Sequence, residues 1–131
     1  MTVGEVTPLE QPADGPFTTR QLIHLDEALR VADQVTGLQF SIYLGPLEEP
    51  IRESAEKLHA RTRHPERSVL MAVSPDQCKL EIVTGSEARK RISDQDAKLA
   101  GFSMVGTFAG GNLAGGLMIG IDQLASHAGK G

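Results

Sequence analysis

Residues 68–85 read SVLMAVSPDQCKLEIVTG, and this stretch decides the fold. From Val69 to Val73 every position is apolar, the pattern of a strand buried on both faces and therefore central in its sheet. Ser74-Pro75-Asp76 supplies turn chemistry. Residues 78–84 then alternate, with Cys78, Leu80 and Ile82 on one side and Lys79, Glu81 and Val83 on the other. A buried strand, a turn and an alternating partner predict a β-hairpin. On this reading Cys78 belongs to the inward stripe, where a thiol behaves as a small hydrophobe.

Thirty residues upstream, Thr36-Gly37 opens a second strand pattern, LQFSIYLG over residues 38–45. Leu38, Phe40, Ile42 and Leu44 share one face, and Gln39, Ser41 and Tyr43 the other. A helix precedes it. Thr18 and Gln21 stand at capping-box spacing, and Leu22, Leu25, Leu29, Ala32 and Val35 recur at three- and four-residue steps. Gly37 suits the left-handed turn at that helix's end. Between the two strand patterns a second helix is expected over about Pro50 to Thr62. Ile51, Ala55, Leu58 and Thr62 form its inner stripe, and Arg52, Glu53, Glu56 and Lys57 its outer face. A strand–helix–strand passage of this length suits a right-handed parallel pair.

After Gly85 the pattern turns helical. Ser86 can cap a short helix through Ile92. Ser93, followed by Asp94 and Asp96, caps the next, with the acids facing the positive end of the helix dipole. That helix is expected to reach about Phe108. Gly110-Gly111-Asn112 breaks it, and Asn112 caps a last helix in which Leu113, Leu117, Ile121 and Leu124 face inward. The expected fold is therefore α/β: a small mixed β-sheet of three to four strands flanked by helices on both faces. One domain spans residues 17–128, after a flexible arm over 1–16 and before a frayed tail over 129–131.

Composition agrees with one domain. A chain of 131 residues can bury a single core, and with four Phe, one Tyr and no Trp that core must be aliphatic. The net charge of −4 argues against nucleic acid, whose partners show a basic stripe. The short basic runs RTRHPER (61–67) and RKR (89–91) read as solvated faces. Cys78 is the only cysteine, so neither an internal disulfide nor a thiolate metal cluster can form. Residues 1–16 hold acids and three prolines and lack the apolar core of a signal peptide. Phe108 to Ile121 is too short and too interrupted for a span of about 20 apolar residues. Taken alone the chain is expected to be soluble and cytoplasmic.

The segments TGLQFSIYLG (36–45), RSVLMAVSPDQCKLEIVTG (67–85) and FAGGNLAGGLMIGIDQLA (108–125) resemble the TPM domain, a small α/β fold of bacteria and plastids. LHARTRHPERSVLMAVSP and SMVGTFAGGNLAGGLMIGIDQLASHA are similar to an uncharacterised actinobacterial branch of it. The resemblance covers nearly all of residues 17–128. It implies a role at the cell envelope, some capacity for calcium, and weak phosphatase activity in some members. Two positions depart from the family pattern. Pro16-Phe17-Thr18-Thr19 stands where many relatives carry an aspartate, and Gly111-Asn112 where they show Gly-Asp. Fewer carboxylates mean a weaker calcium site.

Among candidate site residues, Gly110, Gly111 and Asn112 come first, because backbone N–H groups at a helix start can cradle an anion. The competing reading is packing, in which Gly111, Gly115, Gly116 and Gly120 let the last helix approach a neighbour. Asp76, Asp94, Asp96 and Asp122 are the only carboxylates that suggest a metal, and turn-forming, capping and solvation also account for them. His59 and His64 could form a metal pair but read as lone surface histidines; His24 and His127 have no partner in the sequence. No catalytic set assembles from Ser41, Tyr43 and Ser103. Two functions follow. The first is a non-catalytic binding or scaffold module with an unidentified protein partner, at or peripheral to the cell envelope. The second is a metal-assisted phosphatase or divalent-ion-binding domain in which Asp76 and Asp122 hold the ion. No cofactor is implied.

Overall fold

The structure, a computed structural model, describes residues 17–130; the N-terminal arm and Gly131 lie outside the described residues. Helix α1 spans Thr19–Thr36. Its capping box forms as the sequence predicts: Gln21 N–H donates to Thr18 Oγ1 at 3.1 Å, and Thr18 N–H donates to Gln21 Oε1 at 2.9 Å. Gly37 ends the helix at φ 78°, a left-handed conformation that a side chain would disfavour. The buried stripe is Leu25, Leu29, Ala32 and Thr36. Val35, expected inside, is 46% exposed, because the 100° step places residue 36 and not 35 in line with Leu29 and Ala32.

Strand β1 covers Gln39–Leu44, helix α2 Ile51–Ala60, strand β2 Ser68–Ser74 and strand β3 Lys79–Thr84. The sheet order is β1-β2-β3, with β1 parallel and β3 antiparallel to β2. Every residue of β2 is buried, as its unbroken apolar run requires. The register sets Phe40, Ile42 and Leu44 level with Val69, Met71 and Val73, and these level with Thr84, Ile82 and Leu80. Side chains alternate across a strand, so these nine share one face.

Helices α3 (Asp94–Ala109) and α4 (Leu113–Ala128) cover that face together with α1. Gly101 of α3 lies over Ile82 and Leu80, where an added Cβ would sit 3.8 Å from each side chain. The opposite face, with Tyr43, Leu70, Ala72 and Val83, belongs to α2. The result is a three-layer sandwich with three helices below the sheet and one above it. The mixed sheet flanked by helices on both faces stands as expected.

Four further local expectations need correction. Cys78 is exposed and lies in the turn, not on β3. A 3-10 turn over Pro75–Gln77 ends at Cys78 with φ 54°, so the thiol points away from the core. His59 is not a surface histidine. Ala55 and His59 are the buried residues of α2, with Ile51 and Leu58 packed against the core as expected, and the imidazole Nε2 lies 2.9 Å from Ser68 O. The helix expected from Ser86 to Ile92 is one 3-10 turn over Ala88–Lys90.

The run RKR is not wholly a solvated face. Arg91 is half-buried, and its guanidinium donates to Thr36 O, to Ala128 O at 3.1 Å and to Gly129 O at 2.7 Å. It thus clasps the C-terminal ends of α1 and α4, where the helix dipoles favour a cation. One further contact explains a glycine. Gly85 N–H donates to Ser68 O at 2.9 Å, and a Cβ there would overlap Pro65 O.

Candidate docking groove along β3 and α3

In an antiparallel ladder alternate residues bond the neighbour and the others point outward. Because Gly85 N–H reaches Ser68 O, residues 79, 81 and 83 face β2, while Leu80, Ile82 and Thr84 present their backbone groups to the open edge. Two arginines cover part of it. Arg52 Nη1 donates to Ile82 O at 3.0 Å and Arg89 Nη2 to Thr84 O at 2.8 Å. Arg52 also pairs with Glu81 and with Glu56, each at 3.0 Å. Burial works against its charge, and the two carboxylates more than offset this, so the guanidinium pKa rises. Leu80 N–H, Leu80 C=O and Ile82 N–H find no partner among the described residues.

Below this edge lies α3. Ser93 caps it as expected, with Asp96 N–H to Ser93 Oγ at 3.1 Å, and Asp96 Oδ2 closes a capping box by accepting from Ser93 N–H. The helix buries its small residues Ala97 and Ala100 with Met104. Its large residues point outward: Leu99 is 49%, Phe102 66% and Val105 50% exposed. Between helix and edge runs a groove of two adjoining cavities. One of about 570 Å³ lies between Arg52, Ile82, Gly101 and Phe102; the other, about 310 Å³, lies between Val73, Cys78, Phe108 and Gly111. They share Leu80 and Val105.

The glycine-rich candidates are engaged within the fold. Gly110 N–H and Asn112 N–H both donate to Thr107 O, and Gly111 N–H donates to Phe108 O. Those donors close the end of α3 and are not turned toward an anion. Asn112 Oδ1 accepts from Gly115 N–H at 2.8 Å, which is the N-cap expected for α4. Gly111 lines the smaller cavity with its backbone. Gly116 and Gly120 are packing sites against α3, where added Cβ atoms would meet Phe108 and Met104.

The carboxylates are dispersed. Asp76 lies in the exposed hairpin turn. Asp94 lines the groove near Arg52, and Asp96 caps α3 with Oδ1 3.5 Å from His127 Nδ1. Asp122 lines a separate hollow between α1 and α4. Among the described residues no three His, Cys, Asp or Glu side chains are grouped to hold a metal ion. Sequence reasoning missed Leu99, Phe102 and Val105. Their signal was available: they recur every third residue, opposite a face of small residues, on a helix apolar on both sides.

This layered α/β domain, with one parallel pair, one hairpin and an open edge beside α3, is a known architecture. The solution NMR structure of an N-terminal domain from a P. gingivalis protein matches it with a TM-score of 0.78 at 18% identity, covering 97% of this chain and 90% of that one. The NMR structure of the BA42 protein from the psychrophilic Bizionia argentinensis matches with a TM-score of 0.77 at 18% identity, over 89% and 84%. The N-terminal domain of the cg2496 protein of Corynebacterium glutamicum matches at 0.71 and 10% identity, over 86% and 74%. These likenesses show the fold. Residues 2–125 match the family described as "Domain of unknown function (DUF5130)", and the chain belongs to that family. "Uncharacterized protein Rv2468c" of Mycobacterium tuberculosis is 32% identical over 129 residues, covering 95% of this chain and 77% of that protein. The same figures hold for "Uncharacterized protein MT2543" of another strain. Among the described residues no helix is long and apolar enough to cross a membrane.

Proposed function

We propose that this chain is a non-catalytic binding module of the TPM type that works through a protein partner in a cell-envelope process. One observation carries the binding role: Phe102 and Val105 form an exposed apolar patch beside an open sheet edge, and Leu99 extends it round the outer face of α3. Water-exposed patches of this kind mark interaction surfaces. Phe102, two-thirds exposed on a helix that buries alanines, has no packing role to explain it. The envelope connection follows from the resemblance to TPM domains.

Affinity capture from native lysate, with the intact chain and its Phe102→Asp variant as paired baits, tests the reading. At least one protein should be retained by the first and lost from the second, and it should fractionate with the envelope. Identical protein sets on both baits would refute it.

A further inference from the structure

The groove has the form of a vacant strand position, and we infer that it takes an extended peptide that adds a fourth strand to β3. This deepens the binding role proposed above and rests on it. Three observations point to a bare strand as occupant.

The first is the edge itself. Among the described residues Leu80 offers an unpartnered N–H and C=O and Ile82 an unpartnered N–H, spaced as a ladder that another extended backbone satisfies. The groove follows this edge from Ile82 to Cys78. At about 3.3 Å per residue that run accommodates roughly five residues of strand.

The second is the floor. Alternate side chains of an added strand would point down onto Gly101, Phe102 and Val105, covering the stripe that water now touches. A second copy of this chain does not fit the same place. Helix α3 meets the sheet at β3, so its axis lies beneath the edge strand. A two-fold β3–β3 pairing would set the edge strands about 4.8 Å apart, and with them the two α3 axes. Packed helices need about 8–10 Å.

The third is charge. Arg52 is compensated by Glu81 and Glu56, which leaves Lys79 and Lys98 against Asp94 along the groove, two cations against one carboxylate on a chain of net −4. Lys79 and Lys98 have no ion-pair partner among the described residues. The matching peptide alternates apolar residues, carries an Asp or Glu at its flank and has no proline at the pairing positions. Arg52 is the gate: it must leave Ile82 O for the peptide N–H to enter, and its bond to Glu56 holds it nearby.

The probe is a phage-displayed library of random dodecapeptides, selected on the full chain and counter-selected on Phe102→Asp. Enriched peptides should share the alternating pattern and shift the amide resonances of Leu80, Ile82 and Gly101 through Val105. N-methylation at the residues whose N–H faces β3 should weaken binding about tenfold per site, and at the intervening residues less than about twofold. Arg52→Ala should tighten binding several-fold. A flat N-methyl scan with binding still lost on Phe102→Asp would overturn strand addition while leaving the binding surface in place. Enrichment of nothing beyond the counter-selected pool would overturn both. Concentration-dependent shifts at β3 without peptide, accompanied by a dimer in solution, would overturn the choice of occupant.

Discussion

Replacing Arg91 by Met keeps an aliphatic stem of similar length and removes the guanidinium that holds two helix ends together. Three carbonyls lose a charged donor: Thr36 at the end of α1, and Ala128 and Gly129 at the end of α4. A hydrogen bond to a charged group contributes about 1.5–3 kcal/mol where water cannot replace it. Here the site is half-buried and water can reach the α4 end, so the sum falls well short of three full bonds. The favourable interaction of a cation with two helix C-termini adds roughly 0.3–1 kcal/mol for each. Together these give a loss of about 2–4 kcal/mol, a large share of the roughly 5–15 kcal/mol that stabilises a domain of this kind. Urea denaturation followed by circular dichroism measures it, and an unchanged slope confirms that the unfolded state is the same. Arg91→Lys should recover less than half, because a single ammonium cannot fork to three acceptors. Arg91→Met within about 0.5 kcal/mol of the native chain, or Arg91→Lys equal to it, would refute the clasp.

Gly120→Ala should destabilise by about 1 kcal/mol in the same assay: its Cβ would lie 2.8 Å from Cε of the fully buried Met104, and overpacking of about 1–3 kcal/mol exceeds the helix-propensity gain of about 1 kcal/mol. A more stable variant would show that Met104 has room to move. Gly85→Ala should cost about 3 kcal/mol or more, because the new atom would meet the backbone of Pro65 and Glu66, including Glu66 O at 2.6 Å, and no rotamer change relieves it; normal folding would mean that this turn is loose. Asp33→Asn tests a partly buried charge. Burial raises the Asp33 pKa above the usual 3.8, only partly countered by the hydrogen bond from Phe40 N–H. The native state therefore disfavours the ionised form, and this penalty is absent below the unfolded pKa and enters as pH rises through the raised folded value. The amide should thus be at least as stable as the native chain at pH 7, with the difference closing as pH falls through about 4; a pH-independent difference would contradict this.

The sheet was legible because its signals are local and redundant. Val69 to Val73 can only be a doubly covered strand, and the Thr18, Ser93 and Asn112 caps each pair a short polar side chain with a donor three residues on. Where the reading failed, tertiary contacts outweighed the local pattern. His59 is polar by composition, yet it fills the inner face of α2 because Ser68 O lies within reach. Arg91 reads as one of three surface cations, and only the approach of two helix ends 37 and 55 residues away gives it a purpose. Cys78 falls in phase with Leu80 and Ile82, but the connection between the paired Ser74 and Lys79 takes four residues, two more than a tight hairpin, and Cys78 is the last of them. At Gly110-Gly111-Asn112 the sequence shows free N–H groups, and the folded loop turns them back onto α3. The groove itself could not be read from the sequence, because it joins a strand to a helix that begins ten residues later.

The two edges of the sheet are guarded unequally, and the difference bears on where a partner docks. Gly45 N–H reaches Val73 O, so on β1 the even residues face outward, and the Phe40 N–H that points there is taken by Asp33 Oδ1 at 2.7 Å. That carboxylate sits on α1, partly buried and seven residues away along the chain, and moving it would leave an ionised group without its donor. On β3 the guard is Arg52, half-exposed and shared among Ile82 O, Glu81 and Glu56. Releasing Ile82 O leaves Arg52 two carboxylates, so it stays compensated in water. A protein protects sheet edges from indiscriminate pairing with charged side chains. The guard is fixed at β1 and displaceable at β3, and an uncovered Phe102 lies beside the displaceable one, so the second edge is the one that suits a chosen strand.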